Sequence, residues 1–484
     1  MNHKDIIYRL IVAVLLVCTT TPDVSHAKIV ARDISIKGSN VATIAQTDSG
    51  NILFQSSTDA GVTWTNPIQV STFFTSGNSL PQIAVGGTDN SLVALTYNNI
   101  SEGAGFFYSD SLTTPQGFQD QPPLINSGVN RISFLESELF ILNAEFHNFY
   151  IIGGQGMLLQ TATDFSSPNN IQPISMEQSP EVLINDLSTS GLVPAFLAAS
   201  SSPARVLGVA PVRNNWDGPP QASVLFVPGE KIYSPWKPFA IGQIPGFENL
   251  GPRSQIQLVA FDDLSNAALV WLNTNGGLSS SLFSYPILLE NSFSWSDPRI
   301  DVSFPVHIGL VGGLNVDPST SDYVLQTLCA TIKGHLVLAT GSVTTGLTSI
   351  QALPERLSQN VRQISRSTTR GNKGWWIVLQ VGPHGGYLSL VSHDSSSSEP
   401  THTLLLERLT HVADHNISMV VATDEVSGNV VAIFDVASPD PRFFHPVQDS
   451  NGNIAAQNTT VGPGTFACTL EGGDVSKLMI RKIN

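Results

Sequence analysis

Four histidines fall close together late in the chain, and histidine is the residue type most often used to hold a transition-metal ion. They are His393, His402, His411 and His415. His411 and His415 are four residues apart, a spacing that puts two imidazoles on one face only where the chain is helical. The surrounding sequence reads instead as a connection between strands. We therefore expect solvated loop histidines here, and the sequence predicts no metal site.

Trp375 and Trp376 are candidate sugar contacts. Neighbouring side chains on a strand point to opposite faces, so one indole would pack between sheets and the other could face solvent or a groove. Sugar rings stack on exposed indoles. The alternative is that both indoles pack between neighbouring sheets, and we favour that alternative.

The sequence contains no motif for a cofactor or for nucleophilic catalysis. Asp449-Ser450-Asn451-Gly452-Asn453 resembles part of a calcium loop, but the bidentate Glu at its twelfth position is missing, which favours a β-turn. No Gly-x-Ser-x-Gly nucleophile elbow, P-loop or dinucleotide fingerprint occurs. We predict no cofactor.

Cys329 and Cys468 are the two cysteines that follow the N-terminal segment. A disulfide between them is allowed in an oxidising compartment. Two buried thiols fit equally well, because the sequence does not give the separation of the Cα atoms. There is no Cys-x-x-Cys pair, so neither a cysteine zinc site nor a thioredoxin-like redox site is indicated.

The N-terminus has the features of a secretory signal over residues 1–27. Lys4 and Arg9 precede a short apolar run, and Ser25-His26-Ala27 places small residues where a signal peptidase requires them. The apolar run is too short to span a bilayer. A lipoprotein signal at Cys18 is a minor alternative, because Val17 precedes the cysteine where such signals carry Gly, Ala or Ser. We expect cleavage before Lys28 and a secreted or periplasmic protein with no further membrane span.

The composition points to a large β-rich protein. The chain has 484 residues, 41% of them hydrophobic, so it can bury a substantial core. Charged residues make up only 13%, and the net charge is −15. This acidic balance argues against nucleic acid and anionic membranes as partners. The 39 glycines and 30 prolines are spread along the chain and indicate many turns rather than long helices.

The most distinctive local motif is Ser57-Thr58-Asp59-Ala60-Gly61-Val62-Thr63-Trp64. Asp59 can accept hydrogen bonds from nearby backbone N–H groups and close a tight turn. Gly61 permits a positive φ. Thr63 and Trp64 are expected to begin a strand that pairs with the preceding apolar run. Ser57, Asp59, Gly61, Thr63 and Trp64 are therefore predicted to be structural residues.

This motif resembles the Asp-box, or BNR repeat, of the sialidase-like β-propeller superfamily. The resemblance implies an all-β fold made of four-stranded antiparallel blades, with the box turn on the outside of a blade. Looser copies of the end of the motif recur at intervals of roughly 50 to 70 residues, which suits one blade per repeat. These copies begin at Trp64, Phe118, Phe165, Trp236 and Trp295.

Eight strand-turn-strand units run through the chain, each rich in Val, Ile, Leu and aromatics and bounded by Gly, Asp, Asn and Ser. They are Val41–Phe54, Gln82–Tyr97, Arg131–Glu145, Leu192–Val212, Gln255–Asn273, Gly313–Thr340, Gln363–Ser392 and Ser418–Val436. We predict a single β-propeller over residues 28–484 with seven or eight blades, six remaining possible. Either terminal strand, Ile29–Ile36 or Lys477–Ile483, could complete a blade at ring closure.

The sequence departs from the catalytic pattern of the sialidases. Those enzymes hold a carboxylate with three arginines and use a Tyr nucleophile, an activating Glu and an acid/base Asp. No Arg-Ile-Pro motif occurs here, and Arg32 is the only arginine between the signal and the box. Several other arginines, tyrosines and glutamates have no motif around them, so no catalytic role is assigned: Arg253, Arg299, Arg362, Tyr285, Tyr387, Glu136 and Glu145.

These observations leave three functions open. The first is non-catalytic binding of a glycan or of an extracellular or envelope protein across the central face of the ring, and we favour it because Gly/Ser/Asn-rich loops give adaptable contacts there. The second is a glycoside hydrolase of the same superfamily. The third is a structural scaffold of the cell envelope, which would carry an exposed apolar patch. Fold alone does not decide among them.

Overall fold

The protein is described by a computed structural model whose strands lie between Ile29 and Lys482. Side chains are described over 28–70, for parts of 81–85, at Leu112 and over most of 324–483, with short gaps. Between Leu92 and Asp317 the description otherwise covers the strand backbones. Residues 1–27, and with them the predicted signal, lie outside the described residues.

The described strands form eight sheets that follow one another along the chain. The first four sheets contain β1 (Ile29–Lys37), β2 (Asn40–Thr47), β3 (Ile52–Ser57) and β4 (Ile68–Ser71); β5 (Gln82–Gly86), β6 (Leu92–Asn99), β7 (Gly103–Ser109) and β8 (Gln119–Asp120); β9 (Phe134–Leu142), β10 (Glu145–Ile152), β11 (Gly156–Ala162) and β12 (Ile171–Ser175); and β13 (Ala195–Ser201), β14 (Ala204–Arg213), β15 (Pro220–Val227) and β16 (Lys237–Gly242).

The fifth and sixth sheets contain β17 (Ile256–Ala260), β18 (Asn266–Leu272), β19 (Leu278–Ser284), β20 (Ser294–Trp295) and β21 (Arg299–Val302); and β22 (Val306–Val311), β23 (Asn315–Asp317), β24 (Val324–Thr331), β25 (Leu336–Ser342) and β26 (Gly346–Ala352). The remaining strands are β27 (Val361–Ile364), β28 (Lys373–Gly382), β29 (Gly385–Asp394), β30 (Thr401–Leu409), β31 (Met419–Thr423), β32 (Val430–Val436), β33 (Arg442–Phe443), β34 (Val447–Gln448), β35 (Ile454–Ala455), β36 (Gly464–Leu470) and β37 (Met479–Lys482), with two 3-10 turns, Glu471–Gly473 and Val475–Lys477, between the last two.

Within each of the first four sheets the strands pair in chain order and antiparallel. The strand order is different in the last two sheets, where one segment of the chain contributes strands to both. The seventh has the order β27-β28-β29-β30-β33, and the eighth has the order β31-β32-β36-β37-β34-β35. The segment between β32 and β36 therefore adds β33 to the outer edge of the seventh sheet. It then returns to place β34 parallel to β37.

Each of the eight predicted strand-turn-strand units falls in a different sheet, and seven of them cover paired strands; the unit Arg131–Glu145 covers β9 but ends at the first residue of β10. The prediction of a β-rich chain built from antiparallel sheets is thus confirmed. Four of the eight described sheets have four strands, and the others have five or six. No helix among the described residues is long and apolar enough to cross a membrane.

Each sheet contacts the next along the chain, and the eighth contacts the first through β31 and β1. At the junction of the first two sheets, side chains of β1 occupy backbone donors of β5. Ile83 N donates to Asp33 Oδ2 at 2.9 Å, and Val85 N donates to Ser35 Oγ at 3.0 Å. Backbone donors at the edge of β5 are thereby hydrogen-bonded by the neighbouring sheet.

The terminal strands do not cross between sheets in the described residues. β1 pairs with β2 in the first sheet, and β37 pairs with β36 and β34 in the eighth. Each terminal strand thus lies within its own sheet, and the first and eighth sheets meet in the described residues without a strand exchanged between them. The junction is held by side chains instead, including an apolar cluster that joins Ile34 and Val41 to Val431 and Ile433.

Sheets that lie between two neighbours are buried on both faces, which explains why β2 and β28 lack the alternation of a half-exposed strand. Trp375 and Trp376 sit on opposite faces of β28. Trp375 joins a cluster with Phe434 and other residues of the eighth sheet. Trp376 joins a cluster with Leu328 and Leu336 of the sixth.

Candidate functional site

The predicted Asp-box forms a closed network of hydrogen bonds between β3 and β4. Ser57 Oγ donates to Asp59 Oδ1 and accepts from Gly61 N, both at 2.8 Å. Thr63 donates to Asp59 through its backbone N and its hydroxyl, both at 2.7 Å. Trp64 Nε1 donates to Gly61 O at 2.9 Å. These contacts give all five residues a structural role.

One detail of the prediction for this turn is wrong. Thr63 and Trp64 do not begin the following strand: the backbone N–H of Thr63 donates to Asp59 Oδ1, and β4 begins only at Ile68. Partial burial would raise the pKa of Asp59, but hydrogen bonds from Thr63 and Ser57 together lower it below its ordinary value. The carboxylate is therefore ionised in the turn.

The Asp-box turn docks on the eighth sheet. Gly61 has φ +85°, and a Cβ at this position would lie 2.9 Å from Thr469 Cγ2 on β36. Trp64 packs against the same apolar cluster that joins the two ends of the chain. The turn thus helps to hold the first sheet against the last.

The looser copies of the motif mark one position in five successive sheets. In the sequence, each stands just before or within the fourth strand of its sheet: Trp64 before β4, Phe118 before β8, Phe165 before β12, Trp236 before β16 and Trp295 within β20. The recurrence found in the sequence therefore follows the sheets one by one.

A further turn of the same kind escaped the sequence search. Ser392-His393-Asp394 ends β29, the third strand of the seventh sheet, and has the Ser-x-Asp spacing of Ser57 and Asp59. Asp394 Oδ1 accepts from Ser396 N at 2.9 Å and from Ser396 Oγ at 2.6 Å. Serine replaces the glycine and threonine of the strict motif. A search for Ser-x-Asp at the end of a strand would have found it.

The histidine prediction is wrong for the two histidines that the structure describes. His393 lies at the end of β29 and is only 5% exposed, with Nδ1 2.5 Å from Gln326 Oε1 and Nε2 3.1 Å from Ser397 O. His402 lies on β30. Burial lowers the pKa of both imidazoles. His411 and His415 lie outside the described residues.

Both tryptophans proposed as sugar contacts are in the core. Trp375 is 1% exposed and Trp376 is fully buried. A buried indole has no free face for a sugar ring, so neither tryptophan is a glycan contact, and the interpretation we favoured, packing of both between sheets, is confirmed.

Cys329 and Cys468 are free thiols, so the possible disulfide between them is not formed. Cys329 lies on β24 of the sixth sheet and Cys468 on β36 of the eighth, with the seventh sheet between. Burial raises the pKa of each thiol to about 12. Both therefore behave as small apolar side chains.

A cleft of about 510 Å³ opens at the outer edge of the seventh sheet. Its lining residues come from two segments: the end of β30, and the chain that leaves β32 and enters β33. They are Glu407, Arg408 and Thr410 from the first segment and Pro439, Asp440 and Arg442 from the second.

Strand pairing brings the two segments together. Leu406 and Glu407 of β30 pair with Phe443 and Arg442 of β33. Phe443 is fully buried and lies 4.8 Å from the ring of Phe466, which anchors β33 to the core of the eighth sheet. Because the walls of the cleft are tied to packed elements, the site is preorganised.

A second tie lies at the other end of the cleft. Thr410 N donates to Ser438 Oγ at 2.7 Å, and Ser438 is almost fully buried. This bond joins the end of β30 directly to the segment that carries Pro439 and Asp440.

Arg408 adopts a left-handed backbone conformation with φ +66°. The register of β29 and β30 shifts here, since Leu388 pairs with Leu406 whereas Gly386 pairs with Leu409. Gly385 permits the bulge, because a Cβ there would lie 2.8 Å from Leu409 O. A left-handed non-glycine residue is strained, and such strain concentrates at functional sites.

The charged groups of the cleft alternate in sign. Glu407 Oε1 lies 3.1 Å from Arg442 Nη1 and 4.0 Å from Arg408 Nε. The Arg442 guanidinium also lies 5.5 Å from the centroid of the Phe444 ring. Arg408 is 49% exposed and Arg442 35%. The cleft can therefore present guanidinium donors and carboxylate acceptors side by side to a ligand. No metal-binding group of side chains occurs among the described residues.

The arginines and the tyrosine that were compared with the sialidase catalytic pattern do not come together at one site in the described part of the chain. Arg32 is bound to Asp435 in the junction of the first and eighth sheets. Arg362 is exposed on β27, and Tyr387 is partly buried on β29, where burial raises its pKa. The side chains of the other candidates lie outside the described residues: Arg253, Arg299, Tyr285, Glu136 and Glu145.

No protein-family model and no curated protein sequence matches the chain. Among solved structures, the chain is similar to the BP39L lectin from Burkholderia pseudomallei, with a TM-score of 0.48 and 11% identity over 78% of this chain and 97% of the lectin. It is also similar to a mutant of AofleA from Arthrobotrys oligospora, with a TM-score of 0.40 and 12% identity over 78% of this chain and 90% of that one. A third similar structure is a PL25 ulvan lyase, with a TM-score of 0.41 and 8% identity over 83% and 88% of the two chains. At these TM-scores the likeness assigns neither a family nor a ligand.

Proposed function

We propose that this chain is an exported β-propeller of eight blades that binds a glycan without chemical turnover. The eight blades are supported by the cyclic contacts of the sheets, from the first to the eighth and back to the first. Export is supported by the signal-like residues 1–27. An extracellular or envelope protein is the other partner class.

The observation that carries the binding function is the cleft between Arg408 and Arg442. It combines a strained arginine, guanidinium and carboxylate groups in alternation, and walls fixed by strand pairing. Its volume falls in the range of roughly 300–1,000 Å³ that is usual for small-ligand sites. This cleft lies at the outer edge of a sheet, whereas the sequence led us to expect binding at the central face.

One observation favours catalysis as a second candidate. Two carboxylic acids, Glu407 and Asp440, line the same cleft, and paired carboxylates are the usual machinery of glycoside hydrolysis. Glu407 Oε1 already accepts a hydrogen bond from Arg442 Nη1 at 3.1 Å, so this oxygen is occupied by a protein partner rather than left free for a substrate.

The test uses the chain beginning at Lys28, purified and applied to a glycan array and to a panel of fluorogenic glycosides that includes a sialoside. Binding without turnover is the expected result. Turnover that survives repurification and is lost in Glu407→Gln would establish the glycosidase instead. Binding of no glycan on the array would reject glycan binding and leave the protein-partner class.

Export has its own measurement. The full chain is expressed with its N-terminal segment, and the N-terminus of the exported protein is read by mass spectrometry. We expect it to begin at Lys28. An intact Met1 in the cytoplasm would reject the localisation.

A further inference from the structure

The charges of the cleft allow the ligand class to be narrowed. We propose that the cleft binds a neutral, polyhydroxylated sugar residue through Arg408, Arg442, Glu407 and Asp440, and that it discriminates against acidic sugars. This inference rests on the proposed glycan-binding function and specifies its ligand.

The first argument is electrostatic. Two arginines and two carboxylates line the cleft, so its formal charge is zero. The chain as a whole carries a net charge of −15. An anionic sugar would therefore meet no net positive field in the cleft, and the surrounding protein would repel it.

The second argument concerns the ion pair. A sugar carboxylate that binds the Arg442 guanidinium would have to compete with Glu407, whose Oε1 already lies 3.1 Å from Arg442 Nη1. Displacement would leave Glu407 without its strongest cation and beside a second anion. A sugar carboxylate placed at Arg408 instead would also lie beside Glu407, whose Oε1 is 4.0 Å from Arg408 Nε, and the two anions would repel each other.

The third argument is the match of hydrogen-bonding groups. A sugar hydroxyl donates one hydrogen bond and accepts others, so it fits best where donors and acceptors stand side by side. Among the described residues, the contacts of Glu407 use Oε1 and leave Oε2 available as an acceptor. Arg442 donates to Glu407 through Nη1, and among the described residues its other N–H groups remain available as donors. Adjacent hydroxyls can thus pair with both residues at once.

Arg408 is positioned by the backbone rather than by a close partner. Its contact to Glu407 is long, at 4.0 Å, and its side chain is half exposed. The bulge permitted by Gly385 turns this residue toward the cleft at the cost of a strained φ. We assign Arg408 as the main donor to the ligand and Asp440, on the opposite segment, as an acceptor.

The experiment measures the binding of methyl glycosides to the chain beginning at Lys28 by saturation-transfer NMR. The probes are methyl glycosides of neutral hexoses, of glucuronic acid and of N-acetylneuraminic acid, each at two salt concentrations. We expect binding of a neutral glycoside that does not change with salt, because an uncharged ligand is insensitive to screening. Arg408→Asn should weaken it about tenfold, since a charge-assisted hydrogen bond is lost while asparagine tolerates the left-handed backbone.

Two further variants keep the result interpretable. Arg362→Gln removes an exposed arginine of β27 outside the cleft and should leave binding unchanged. Asp440→Asn gives the cleft a formal charge of +1 and should shift preference toward the acidic glycosides, an effect that weakens with salt.

The possible results separate the two proposals. Stronger binding of an acidic glycoside by the wild-type chain would overturn the neutral-ligand inference and leave glycan binding standing. Neutral binding that is unaffected by Arg408→Asn but lost in Arg362→Gln would place the site on β27 and also overturn it. Binding of no glycoside of any class would reject the glycan-binding function itself.

Discussion

Arg32 of the first sheet and Asp435 of the eighth form a forked ion pair that joins the two ends of the chain. Arg32 Nη2 lies 3.0 Å from Asp435 Oδ1 and 3.2 Å from Oδ2, although 403 residues separate the two in sequence. Thr465 donates to the same carboxylate at 2.6 Å. The Arg32 side chain is only 3% exposed, so Asp435 compensates a positive charge that water does not reach.

Removal of one partner should leave a buried charge uncompensated. We expect Asp435→Ala to lower the free energy of unfolding by about 3 kcal/mol, measured by chemical denaturation. The matched control is Glu471→Ala, which removes an ion pair of similar length between exposed side chains, Lys477 and Glu471. That change should cost less than about 0.5 kcal/mol. Equal effects would show that the junction does not depend on the Arg32 pair.

The substitution Gly61→Ala tests whether the Asp-box turn is docked on the eighth sheet. Gly61→Ala combines a positive φ with a Cβ 2.9 Å from Thr469, whereas Gly38→Ala meets nothing within 4 Å at a similar φ of +61°. Backbone strain alone should cost about 1 kcal/mol at Gly38. Gly61→Ala should cost at least 1 kcal/mol more, because a side chain must move. Equal losses of unfolding free energy would argue against the contact.

The pH dependence of stability should report on Asp424. Partial burial would raise its pKa, but hydrogen bonds from Ser427 and Gly38 lower it below the ordinary value of 3.8. A lowered folded-state pKa contributes stability above pH 3.8 that is lost as the pH falls through the folded value. Asp424→Asn should therefore be less stable than wild type near neutral pH. The difference in melting temperature should shrink below about pH 4, and a constant difference would contradict the assignment.

Arg408 should separate stability from binding. Arg408→Gly relieves a left-handed strain of about 1–2 kcal/mol, of which glycine's greater freedom in the unfolded chain offsets about 0.5–1 kcal/mol. We expect a net gain of about 0.5 kcal/mol in unfolding free energy together with glycoside binding that is about tenfold weaker. Ala60→Gly, at φ +56° in the Asp-box turn, is the control that should gain stability and keep binding. Loss of stability in Arg408→Gly would show that the arginine is structural.

The two thiols should be inert in the folded protein. With a pKa of about 12 and full burial, Cys329 and Cys468 should not react with iodoacetamide near neutral pH. Mass spectrometry should show both labelled after denaturation without a reductant. Labelling of neither cysteine under those conditions would reveal a disulfide that the structure does not contain.

Much of the fold was determined by local features of the sequence. Strand alternation and turn residues act over a few positions, so the eight hairpin units could be found without a structure. The network of Ser57, Asp59, Gly61, Thr63 and Trp64 was predictable for the same reason, because all its partners lie within eight residues. The degenerate turn at Asp394 obeys the same chemistry and was missed only because serine takes the place of glycine and threonine.

Only the tertiary structure decided the rest. Strand alternation puts Trp375 and Trp376 on opposite faces, but the packing of sheets on both sides buries both. The cleft exists because the chain leaves the eighth sheet after β32 and pairs β33 with β30 of the seventh, which brings Arg442 to Glu407. The pairing of Arg32 with Asp435 likewise depends on the contact between the first and last sheets. Such contacts carry no local signal, because their energy comes from burial and charge pairing between distant segments of the chain.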